Sequence, residues 1–308
     1  VVANGIDTLK LTYCGNLKDE IVDILEEYKN FDDNNDDNYT INIAGIDFYI
    51  LSHGVSRYKY VLKNNLYNIV LNPRVKDDVY PNISVNITSF ALWNTDYYDN
   101  LLNVLEKITE VLQKEKVSRV DLSADIHKFK FDIDDMKSAV TRTRKRSLHY
   151  DGNRLETVYF GSMKNGKAVL RIYDKVKEIK DKCNTKDWFY DIWGVDQQVW
   201  RVEFELKREF IKEFQINDFC DLQASIQDLW RYLTDDWFSL KLEDNKNVAR
   251  RTVVDKWQIV QSVKFGELSG VARVTKRNFN LEHLKAQAKG ILTTIAASQQ
   301  VNNIDDFL

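Results

Sequence analysis

The sequence predicts an α+β protein. Antiparallel sheets have one polar face, helices pack on the other, and a helical C-terminal region follows. Three observations carry this. Alternating strand segments joined by turn signals fill the first two thirds of the chain. Single amphipathic stretches interrupt them, and beyond about residue 208 the periodicity becomes mostly helical. The 308 residues are 44% hydrophobic and 30% charged, as in an ordinary globular protein. The expected division is an α+β domain over residues 1–215, in two strand-plus-helix halves (about 1–115 and 116–215), then a mostly helical region over 216–308.

The first half opens with the strand "IDTLKLTY". "NYTINIAGIDFYILSHG" reads as a hairpin turning near Gly45, and "YKYVLKNNLYNIVLN" as one turning at Asn64-Asn65; "ISVNITSFALW" reads as a further strand. The tract "NFDDNNDDN" lacks the glycine and terminal glutamate of a calcium loop and reads as solvated. "DYYDNLLNVLEKITEVLQKEK" has the 3.6-residue period of one long helix. In the second half, "SRVDLSADI" is a strand and "DIDDMKSAVTRTRKRS" a helix with a basic end. "ETVYFGSMKNGKAVLRIYDK" is a hairpin turning at Asn165-Gly166, and "VWRVEFELKREF" a strand running into a helix. "DFCDLQASIQDLWRYLTDDWFSL" and "LEHLKAQAKGILTTIAASQ" are amphipathic helices.

Composition narrows the setting. No apolar run is long enough for a membrane-spanning helix, and the first ten residues do not read as a signal peptide. Cys14, Cys183 and Cys220, odd in number and without CxxC spacing, suggest free thiols in a reducing cytoplasm. A net charge of −3 means that any polyanion binding must come from local patches.

Three strands share one kind of polar face. Asp121, Ser123, Asp125 and His127 alternate with Val120, Leu122, Ala124 and Ile126; Arg201, Glu203, Glu205 and Lys207 alternate with Val202, Phe204 and Leu206. Arg171, Tyr173 and Lys175 alternate with Leu170 and Ile172. A solvated sheet face gives such alternation by itself, but aspartate is depleted in strands. Acids two residues apart in neighbouring strands repel unless something neutralises them. A divalent cation, Mg²⁺ or Mn²⁺, is one candidate; salt bridges are the other. Tyr173 is a candidate nucleophile, with Arg171 and Lys175 as phosphate-binding cations.

"TVYFGSMKNGKAVLRIYDKVKE" resembles the signature hairpin of the replication initiation factor family: rolling-circle initiators of small plasmids of Gram-positive bacteria and related relaxases of conjugative elements. The matching positions are Tyr159, Phe160, Gly161, Ser162, Arg171, Ile172, Tyr173, Asp174, Lys175 and Glu178. "RVDLSADI" and "WRVEFELKRE" are similar to the family strands before and after it, and "RRTVVDKW" to a segment near the end of such proteins. The resemblance implies single-strand nicking and joining at an origin, with Tyr173 forming a 5′-phosphotyrosyl link. It also implies a metal held by Asp121, Asp125 and Glu203, with Glu205 and His127 in reserve, and expected partners are origin DNA, a second copy and a host helicase. No helix-turn-helix precedes the strands, so origin recognition is expected elsewhere or in a segment trimmed from the start.

DNA contact is expected at Arg142, Arg144, Lys145 and Arg146, four cations within five residues, and at Arg250 and Arg251. Tyr97, Tyr98, Trp188, Phe189 and Tyr190 could stack on unpaired bases, although core packing explains most aromatics. Three other readings compete, one of them a structural or interaction protein with an acidic and aromatic surface that binds no single-stranded DNA. A non-catalytic DNA-binding protein would use the acids only in salt bridges, and a metal-dependent nuclease would use water and tolerate loss of Tyr173.

Overall fold

The computed structural model describes residues 1–29, 39–73, 81–181 and 186–266. The acid tract 30–38, Cys183 and the expected helix over 281–299 lie outside them. By internal contacts the chain divides into Val1–Val271 and Ala272–Leu308, and all described residues belong to the first unit.

The strands are β1 (Ala3–Leu17), β2 (Thr40–Ile43), β3 (Ile46–Ile50), β4 (Tyr58–Lys63), β5 (Tyr67–Pro73), β6 (Ile83–Ile87), β7 (Thr109–His127), β8 (Ala139–Thr141), β9 (Arg146–Asp151), β10 (Arg154–Phe160), β11 (Ala168–Asp174), β12 (Val199–Lys207) and β13 (Phe238–Leu240). Eleven of them form one antiparallel sheet in the order β2-β3-β4-β5-β6-β1-β7-β12-β11-β10-β9, and β8 pairs with β13 separately. The mixed α+β class with a large antiparallel sheet is therefore as expected. Long β1 and β7 form the central seam, each carrying one half of the sheet on its other edge.

The turns follow their residues. Ala44 and Gly45 take positive φ at the β2–β3 turn. Asn64 Oδ1 accepts from the backbone N–H groups of Leu66 and Tyr67. Gly161 has φ +115°, and a Cβ there would lie 2.8 Å from the Ala168 carbonyl oxygen, so only glycine fits. Helices Asp19–Lys29, Tyr97–Ile108 and Phe219–Tyr232 bury Leu25, Leu101, Leu105, Leu222 and Trp230 in one apolar cluster with the sheet.

Three expected elements differ. The helix expected over 96–116 stops at Ile108, and the chain from Thr109 continues as β7. The partner edge of β1 decides this: Leu112 pairs with Gly15, where the absent side chain lets the Val111 carbonyl approach. The basic helix expected over 132–147 is helical only at Asp135–Ser138; Ala139–Thr141 pairs with β13 and Arg146–Asp151 with β10. The strand expected to run through Trp93 ends at Ile87. Thr88 Oγ1 then accepts from Ala91 N–H at 3.2 Å and caps a helix over Ser89–Asn94.

Candidate active site

The register of β7, β12 and β11 stacks the polar residues in rows. Asp121 lies opposite Glu205, Glu203 between Ser123 and Arg171, and Arg201 between Asp125 and Tyr173. This face is not solvated. Asp121, Asp125 and Arg201 are fully buried, Glu203 and Lys175 nearly so, and Tyr173 is 8% exposed. The helices Lys175–Asp181 and Trp188–Trp193 supply the cover, with Val176, Ile179, Phe189 and Trp193 packed on Ala3 and Val199.

Burial at this depth requires pairing. Arg201 donates to both oxygens of Asp125 at 2.6 and 2.7 Å and to Asp7 at 2.5 Å, and its guanidinium lies 4.6 Å from the Phe189 ring centroid. Trp193 Nε1 donates to Asp125 at 2.8 Å. Asp7 reaches this group through a β-bulge between Ile6 and Thr8. Burial opposes its charge, but Arg201, Lys186 and Lys175 together hold its carboxyl well below the usual range.

The second group surrounds the phenol. Tyr173 Oη donates to Glu203 Oε2 at 2.8 Å, and Lys175 Nζ lies 3.5 Å from Tyr173 Oη while donating to Glu178 at 2.6 Å. Arg171 is paired with Glu203 and donates to Asp121 at 3.1 Å. Arg119 grips Asp121 at 2.8 and 2.6 Å and reaches Glu205 at 3.0 Å. Burial, reinforced by Glu203, pushes the Tyr173 hydroxyl well above the usual tyrosine value. Burial and neighbouring Arg201 lower Lys175. Burial, together with the charge of Glu203, raises Asp121 to about 7 against the pull of Arg119 and Arg171. For Arg171 burial works the other way, but Glu203, Tyr173 and Asp121 outweigh it and its guanidinium stays charged.

Tyr173, Arg171 and Lys175 thus come together. Asp121, Asp125 and Glu203 do not form one ligand set: Asp125 belongs with Arg201, while Asp121 and Glu203 are engaged by Arg119, Arg171 and Tyr173. Among the described residues no three histidine, cysteine, aspartate or glutamate side chains are arranged to hold a metal ion. As arranged, this donor set does not fit a divalent cation. His127 lies at the strand end opposite Val199. Arg142, Arg144, Lys145 and Arg146 are exposed, and Arg146 is not on the tyrosine's side of the sheet: it lies over the Phe160 ring, and Phe160 pairs with Leu170 on the apolar face. Arg142 Nε donates to the Asp236 carbonyl. Arg250 is exposed, and Arg251 bonds the Asn245 carbonyl. Tyr98 stacks on Phe219, and Phe189 is fully buried. Sequence reasoning gave no role to Arg201, although its alternation with Glu203 was the available signal. It also missed Asp7, which alternation places on the apolar face.

No family profile matches the chain. Two curated replication initiation proteins of Staphylococcus aureus align with it. One is 25% identical over 184 residues, covering 58% of this chain and 55% of that protein; the other is 29% identical over 145 residues, covering 47% and 40%. A rolling circle replication initiator protein from Geobacillus stearothermophilus has the same fold, with a TM-score of 0.52 at 18% identity over 85% of this chain and 97% of that one. The chain is thus similar in sequence to replication initiation proteins and similar in fold to a rolling circle replication initiator. It spans about half the length of the curated relatives it matches. Among the described residues no helix is long and apolar enough to cross a membrane.

Proposed function

We propose that this initiator relative is a site-specific nicking and joining enzyme acting on single-stranded DNA through Tyr173. The observation that carries the reading is the hydrogen bond from Tyr173 Oη to Glu203, inside a group that also holds Arg171 and Lys175. A phenol held neutral by burial attacks only if its proton has somewhere to go, and Glu203 is the acceptor already in place. The step is a transesterification. The Tyr173 oxygen–phosphorus bond forms, the bond from phosphorus to the 3′-oxygen breaks, and the phenol proton passes to Glu203. The leaving 3′-oxygen takes a proton from solvent. Arg171 Nε is buried without a hydrogen-bond partner among the described residues, a donor suited to a phosphate oxygen.

The test is a supercoiled plasmid carrying the protein's own gene and flanking DNA, assayed for nicking and for an SDS-resistant protein–DNA adduct. The wild type is expected to give both and Tyr173→Phe neither. Nicking by Tyr173→Phe without an adduct would hand the reaction to water.

A further inference from the structure

The polar face does not end at the buried site. In β12, β7 and β1, Lys207 lies opposite Arg119, and Arg119 opposite Lys10. The same cross-strand line continues through the paired amides Asn86 and Asn68 on β6 and β5. It then reaches Lys63 on β4 and Tyr49 on β3. One row of register partners thus crosses seven neighbouring strands. At about 4.8 Å per strand, its six steps span about 29 Å.

Its chemistry is uniform. Lys10 and Lys63 are exposed, Tyr49 is 49% exposed, and each residue on the row carries a cation, an amide or a phenol. Asn68 Oδ1 is buried without a hydrogen-bond partner among the described residues, as is the Oγ of Ser84 one row away. An unsatisfied acceptor beside cations suits a ligand offering both N–H donors and negative charge. Asp47, an acid near the far end, is held by Asn42 at 2.6 Å. The row begins at the catalytic group, because Arg119 grips Asp121, to which Arg171 also donates.

We infer that this row is the track on which the single-stranded DNA next to the nick site lies. Lys207, Lys10 and Lys63 meet phosphates, Asn86 and Asn68 meet base edges, and Tyr49 stacks on an unpaired base. The span suits the about 4–16 nucleotides that sheet-based single-strand binders cover. The inference rests on the nicking reading for its substrate, but its test reads binding alone.

The experiment is fluorescence anisotropy of a labelled oligo(dT) 12-mer with the full chain, in wild type, Lys10→Ala/Lys63→Ala and Tyr49→Ala, across a salt series. Circular dichroism confirms that the exposed substitutions leave the fold intact. The lysine pair should weaken binding about tenfold and flatten the slope of log affinity against log salt by about 1.4, at about 0.7 per lost phosphate contact on a single strand. Tyr49→Ala should weaken binding with the salt slope unchanged. Unchanged affinity in both variants overturns the track. So does a loss seen only in Arg144→Ala/Lys145→Ala, or equal binding of a 12-base-pair duplex with equal sensitivity to the lysines. A weakened lysine variant supports the track even if the wild type forms no covalent adduct, in which case only the nicking reading fails.

Discussion

Replacing Arg201 by methionine should be among the most damaging single changes in the chain. Arg201 is fully buried and makes three charge-assisted hydrogen bonds to Asp125 and Asp7, which are themselves 0% and 7% exposed. Methionine fills much of the volume but leaves two carboxylates without their main cation. Breaking a buried ion pair from one side costs about 3–5 kcal/mol. Urea unfolding at pH 7 should show a loss of that size with an unchanged denaturant slope. The pH dependence follows from Asp7, whose folded-state pKa lies below its ordinary value because of Arg201, Lys186 and Lys175. A depressed carboxyl contributes stability that is present above the unfolded value of about 3.9 and is lost as pH falls through the folded one. The gap between wild type and Arg201→Met should therefore stay wide from neutral pH down to about pH 4 and narrow only as the pH falls below it. Asp125→Asn added to Arg201→Met should recover part of the loss. A deficit under about 1 kcal/mol at pH 7, or one that grows on acidification, would refute the idea that Arg201 stabilises by neutralising these acids.

Three more outcomes follow. Glu203→Gln keeps a hydrogen-bond acceptor for the phenol but removes the proton acceptor, so single-turnover adduct formation should slow by about 10²–10⁴-fold with little change in oligonucleotide affinity. Asp121 is raised to about 7, so it holds its proton more tightly folded than unfolded. Its contribution is greatest at low pH and declines between about pH 4 and 7, and Asp121→Asn should flatten the stability–pH curve there, read by thermal melts. Gly161→Ala combines φ +115° with a Cβ 2.8 Å from a carbonyl oxygen, and urea unfolding should show a loss of about 1–3 kcal/mol.

The alternation of Arg171, Tyr173 and Glu203 with apolar neighbours was legible, because a strand's period of two is written in three or four consecutive residues. What the alternation could not show is that this face is covered. Phe189 and Trp193 come from a helix between β11 and β12, and only the folded chain brings them over Arg201. Asp7 was illegible for a local reason: one extra residue in β1 reverses its side, and nothing in "GIDTLKL" marks the bulge. The long helix over 96–116 failed because Val111 and Leu112 satisfy helical spacing as well as a strand does. Pairing with β1 over most of its length decided between them.

The choice between metal site and salt-bridged face, open at the level of sequence, has a physical consequence for how the reaction would start. Every acid around Tyr173 is paired with a cation, so the phenol has no reason to ionise at rest. Arg171 is the exception in position: it spans Glu203 and Asp121, its side chain is 22% exposed, and Nε has no partner among the described residues. Under the nicking reading, a phosphate arriving at that donor competes with Glu203 for the guanidinium. Glu203, partly released from Arg171, becomes a better acceptor for the proton it already shares with Tyr173. Substrate binding and activation of the nucleophile would then be one event at Arg171. Arg171→Lys should accordingly slow adduct formation at saturating DNA and not merely weaken binding. Lysine keeps the charge but cannot hold Glu203 and a phosphate from separate edges of one planar group. A variant with weaker affinity and an unchanged single-turnover rate would show that Arg171 only attracts DNA.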